Sequence, residues 1–122
     1  MTRHIGIVAC SAEGAALCYR TVCLEGPQWL GPLAHPEVSM HTHSFAAYMR
    51  CIESGDWPGV AELMLAAAHK LARAGADFLI CPDNTIHQAM PWVLRRSRAD
   101  SLTLRFRDAA RRRQRPRRCG SL

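Results

Sequence analysis

Residues 77–87, Asp-Phe-Leu-Ile-Cys-Pro-Asp-Asn-Thr-Ile-His, constrain the fold of this chain more than any other stretch. Four of the five positions 77–81 are apolar, and the small-residue turn Ala74-Gly75-Ala76 precedes them, which is the pattern of a short buried strand. Pro82 has no N–H to donate to a ladder, so pairing stops there. Asp83, Asn84 and Thr85 are all good helix N-caps, and a helix is expected from Thr85 to about residue 95. A strand, a tight turn and a helix in that order place Asp83, Asn84 and Thr85 at the carboxyl end of a strand, where open parallel sheets bind ligands. Free N–H groups at a helix start favour a carboxylate or phosphate in the same place.

The preceding residues repeat this alternation. Ile5-Gly6-Ile7-Val8-Ala9-Cys10 is a continuous apolar run, as a central parallel strand requires. Ser11 can cap the helix that follows through Leu24, and Gly14 among alanines permits close backbone approach. Gly26-Pro27 ends that helix, and residues 26–36 read as a loop with Trp29 and Leu30 tucked against the body. Residues 37–42 alternate as a second strand, residues 45–52 form a short helix, and residues 57–74 form a long amphipathic one. Asp56 caps the long helix, Pro58 sits in its first turn and Gly75 ends it. The order β-α-β-α-α-β-α predicts an α/β fold: a small parallel sheet with helices on both faces.

Residues 76–87, Ala-Asp-Phe-Leu-Ile-Cys-Pro-Asp-Asn-Thr-Ile-His, resemble the first active-site segment of the aspartate/glutamate racemase family. The family pattern there is Cys-Asn-Thr, a small residue and His. Asn84, Thr85 and His87 match it, and Asp83 stands where the family places its first catalytic Cys. The resemblance covers roughly residues 3–96 and is partial at the first turn, where Cys10, Ser11 and Gly14 replace a Gly-rich segment. It implies one lobe of a two-lobe fold and a reaction without pyridoxal phosphate or metal, so no cofactor is expected. The implied substrate is an acidic amino acid or related carboxylate, racemised by two-base proton transfer at the α-carbon.

On that resemblance Asp83 is the catalytic candidate, with Asn84, Thr85, Ser11 and His87 as substrate-binding candidates. Each has a plainer reading. Asp83 has a reference pKa of about 3.9, a weak base compared with a thiolate unless burial raises it, and it also suits a helix cap. Ser11 also suits a cap, and Asn84 and Thr85 suit a turn. His87 either orients Asp83 or fills space. Cys81 lies two residues before the turn and thus one layer down in the sheet, a buried core thiol. His41, His43 and His87 lack the fixed spacing of a metal motif, and no metal site is expected. The family's second signature, a Gly-Cys-Thr-Glu-like segment, is absent, and Cys119 sits in an unrelated context. The 122-residue chain alone is therefore expected to be inactive. The rival reading is a non-enzymatic one-lobe module that binds an acid or self-associates as a homo-oligomer.

Charge divides the chain. Residues 1–94 carry five Lys/Arg against eight Asp/Glu, and residues 95–122 carry eleven Arg against two Asp. The net +6 thus belongs to the C-terminal segment. Arg without Lys, mixed with Ser, Ala, Pro and Gly, is what a shifted reading frame of a GC-rich gene encodes. This gives two expected units: a lobe over 1–96 and an Arg-rich tail over 97–122. The rival for the tail is a genuine basic arm for nucleic acid or an acidic surface. The N-terminus shows no signal-peptide pattern, and no stretch of about 18 apolar residues exists. The six Cys form no Cys-x-x-Cys pair, and a reduced, cytoplasmic protein is the expectation.

Overall fold

The computed structural model describes residues 3–99 and Phe106; the side chains of Arg98 and Ala99 are not described. Three parallel strands, β1 (Ile5–Ala9), β2 (Val38–Thr42) and β3 (Phe78–Ile80), form one sheet in the order β2-β1-β3. The central strand is β1, with Ile7 opposite Met40 on one side and Ile80 on the other. The chain steps from β1 to one edge and then crosses to the other. Right-handed crossovers in opposite directions put the connecting helices on opposite faces. The crossovers carry α1 (Ala12–Glu25), followed by the short α2 (Pro27–Leu30), and then α3 (Phe45–Glu53) with α4 (Trp57–Arg73). A 3₁₀ turn over Thr85–Ala89 leads into α5 (Met90–Ala99).

The two faces are unequal. Val8, Cys10, Leu79 and Cys81 share the main core with Val60, Met64, Leu71, Ile86 and Val93. Trp57, Trp92 and Phe106 pack at its margin. Gly6 lies where this sheet face and α4 meet: a Cβ there would come within 2.8 Å of Leu79 Cδ2 and 3.0 Å of Ala76 Cβ. The α1 face is thinner, with Ala15 the only fully buried residue of that helix. The expected caps are in place. Asp56 Oδ1 accepts from the Gly59 N–H at 2.9 Å, and Gly75 takes φ +96° after α4, a conformation that favours glycine.

Several expectations need correction. Residues 27–30 are helical rather than loop, because Pro27 at the first helical position is preset for a helix. Trp29 and Leu30 are not tucked in: they are 83% and 40% exposed. The third strand is shorter than residues 77–81, since Asp77 spends its side chain on the His4 N–H (2.6 Å) and Pro82 lies just beyond. Helix α5 runs on to Ala99, and Phe106 makes a parallel bridge to Leu79. The rest of the Arg-rich tail lies outside the described residues.

Candidate functional site

In a parallel sheet of order β2-β1-β3, the connections leaving β1 and β3 part in opposite directions. The loops after these two strands flank the topological switch point, the usual ligand crevice of such sheets. They carry Cys10 and Ser11 on one side and Cys81 to Asn84 on the other. The structure joins them through Asp83. Its Oδ2 accepts from the backbone N–H of Cys10 at 3.2 Å and of Ser11 at 3.1 Å, and its Oδ1 accepts from Ser11 Oγ at 2.6 Å. Ser11 in turn caps α1, its Oγ accepting from the Gly14 N–H at 3.2 Å. Asp83 therefore caps a helix, but not the one that follows it. It is a carboxylate seated at the N-terminus of α1, 72 residues away, where helix dipole and free N–H groups favour negative charge. Gly14 makes room for it, since a Cβ there would lie 2.9 Å from Ser11 Oγ and 3.0 Å from Asp83 Oδ1.

The other predicted residues are arranged less tightly. Asn84 precedes the 3₁₀ turn with helical backbone angles and makes no side-chain cap. Asn84 and Thr85 are both exposed at the start of that turn. His87 does not hold Asp83; its Nε2 lies 2.9 Å from the Cys81 carbonyl oxygen, bracing the turn that carries Asp83. Ser11 and Asp83 are thus brought together, Asn84 and Thr85 stand beside them, and His87 supports from behind.

Both neighbouring thiols are buried. Burial, then the Asp83 charge, pushes the Cys10 thiol up to about 11. Burial likewise pushes Cys81 up to about 12, against a partial opposing effect of its contact with the Asp83 backbone. Neither is a thiolate at neutral pH, so the reading of Cys81 as a core thiol holds.

Sequence reasoning passed over Tyr48, from α3. It is completely buried, and its Oη has no hydrogen-bond partner among the described residues. Burial first, then Cys10, Cys81 and Asp83, holds its phenol well above the ordinary range. Its ring meets His43 edge-on at 5.7 Å, and His43 Nε2 lies 2.8 Å from the Leu63 carbonyl oxygen. The available signal was a tyrosine on the core face of a helix that follows β2, a face that Phe would fill more cheaply. His41 also has a buried Nδ1 with no partner among the described residues, and burial, His43 and Lys70 lower its pKa. No group of three or more His, Cys, Asp or Glu among the described residues is placed to hold a metal. A separate apolar pocket of about 310 Å³ lies at the amino ends of the strands, between Ile5, Phe78, Trp29 and Leu30.

No family model matches the sequence. The fold does have counterparts among solved structures. One is a candidate Asp/Glu racemase from Yersinia pestis, with TM-score 0.75, 23% identity, and coverage of 86% of this chain and 44% of that one. Another is an aspartate racemase homologue from Pyrococcus horikoshii OT3, with TM-score 0.71, 22% identity, and coverage of 88% of this chain and 45% of that one. This chain spans less than half the length of either. Among the described residues, no helix is long and apolar enough to cross a membrane. The resemblance to the aspartate/glutamate racemases predicted an α/β lobe, and the chain has that fold: a parallel sheet with helices around it, like part of these racemase-related structures.

Proposed function

We propose that this chain is a member of the aspartate/glutamate racemase family and supplies one of the two half-sites that bind an acidic amino acid or related carboxylate. The observation that carries the reading is Asp83, held by two backbone amides and Ser11 at the switch point of a racemase-like lobe. It occupies the sequence position of the family's first proton-transfer residue. In a two-lobe protein, Asp83 would stand on one face of the substrate α-carbon and a group from the second lobe on the other. Asn84 and Thr85 would bind the carboxylate, Ser11 would hold Asp83 in place, and His87 would keep the turn rigid through the Cys81 carbonyl.

Two-base racemisation needs both faces and exclusion of water. One lobe presents an open crevice, so the chain alone binds without turning over. The test is amide NMR of the purified chain titrated with L-aspartate and succinate, alongside α-proton exchange of L-aspartate in D₂O. Shifts at Cys10, Ser11, Asn84 and Thr85 without α-deuteration are expected. Absence of any shift sinks the acid-binding site, and α-deuteration well above buffer sinks the half-site reading. A second reading, a self-associating module, draws support from Trp29 and Leu33, which are 83% and 94% exposed.

A further inference from the structure

The described residues contain one completely buried hydroxyl with no partner, Tyr48 Oη. A Phe would fill the same space without stranding a polar atom, so the hydroxyl carries a desolvation cost that nothing within the described fold repays. Its surroundings narrow what it can do. Tyr48 shares the core with Cys10 and Cys81, which flank Asp83 at the carboxyl ends of β1 and β3. Both thiols stay protonated and are weak acceptors. The Asp83 carboxylate is turned toward the start of α1. The nearby His43 imidazole meets the phenol ring by its edge and has its Nε2 at the Leu63 carbonyl. The phenol keeps its proton across the physiological range, which makes it a permanent donor. A buried donor in the core behind the turns of Cys10 and Cys81, with no acceptor among the described residues, is left for an acceptor that arrives with the ligand.

We propose that Tyr48 is a ligand-binding residue of the switch-point crevice, its hydroxyl donating a hydrogen bond to a carboxylate oxygen of the bound acid. This rests on the acid-binding reading above and extends it to a third element, α3. The crevice would then be walled by α1, by the turn after β3 and, from beneath, by α3. The hydroxyl has no accessible surface in the empty lobe, so a bound acid meets it only where the side chains that cover it part.

Tyr48→Phe tests this, with thermal unfolding of the free chain and titration of L-aspartate and succinate into both proteins. A hydroxyl without a partner in the fold predicts a free Tyr48→Phe chain at least as stable as the parent. A hydrogen bond to a carboxylate predicts both acids binding roughly ten- to a hundredfold more weakly. Equal affinity in the two proteins overturns the role of Tyr48 and leaves the acid site standing. A free variant that unfolds at lower temperature also overturns it, because the hydroxyl then has a partner, such as an internal water, in the empty fold. If the parent binds neither acid, the acid-binding reading itself fails and the proposal falls with it.

Discussion

Asp83→Ala is the most informative perturbation, because it separates a carboxylate that builds the fold from one that merely decorates a surface. The side chain takes three hydrogen bonds, from the Cys10 and Ser11 amides and from Ser11 Oγ. Hydrogen bonds to a charged partner are worth roughly 1.5–3 kcal/mol each in mutational series. They do not add here: the donors share one acceptor, and water at the half-open crevice can replace part of the loss. Loss of negative charge at the α1 N-terminus adds roughly 0.3–1 kcal/mol. A net cost of about 2–4 kcal/mol follows, or ~8–16 °C in Tm at about 4 °C per kcal/mol for a chain of this size. Asp83→Asn should cost much less, about 1 kcal/mol, since its carbonyl can face the two amides while its NH₂ faces Ser11 Oγ. Urea and thermal unfolding followed by circular dichroism measure both variants. An Asp83→Ala protein within about 3 °C of the parent, or equal losses for Ala and Asn, would refute the reasoning.

Three further outcomes are expected. With thiols raised to about 11 at Cys10 and about 12 at Cys81, the unfolded state gives up these protons before the folded state does. Stability is therefore flat below pH 9 as far as these groups act, and falls by of order 1 kcal/mol per pH unit per thiol between their unfolded and folded pKa values; urea midpoints at pH 8, 9 and 10 check the sign. Gly6→Ala forces a methyl to within 2.8 Å of Leu79 and 3.0 Å of Ala76, and should cost about 1–3 kcal/mol in the urea midpoint although alanine is the less flexible residue. Replacing exposed Trp29 and Leu33 by Ser should reduce self-association in light scattering at little cost in stability, and an unchanged mass would show that these residues are not a contact surface.

The sequence by itself determined what is local. The apolar run 5–10, the capped amphipathic helix after Asp56 and the Pro82 stop each act over one or two turns of chain, so β1, α4 and the end of β3 were legible in residue types alone. Ser11, Asp83, Asn84 and Thr85 were also legible as a carboxyl-end cluster, because the βα alternation dictates which end of the sheet holds the turns. Local pattern misled where the competing partner was distant. Asp83 looked like the cap of its own helix, and the structure turns it to the N-terminus of α1 instead. By sequence His87 either orients Asp83 or fills space, and in the structure it faces a carbonyl of the turn behind it. Trp29 looked buried because it is large and apolar, yet its burial depends on what covers α2, which no short-range rule encodes. Tyr48 is the clearest case. Its place on the core face of α3 follows from helical periodicity, but its stranded hydroxyl follows only from which side chains the other elements bring into the same core. Hydrogen-bond satisfaction is a property of the packed interior, and the tertiary structure alone decides it.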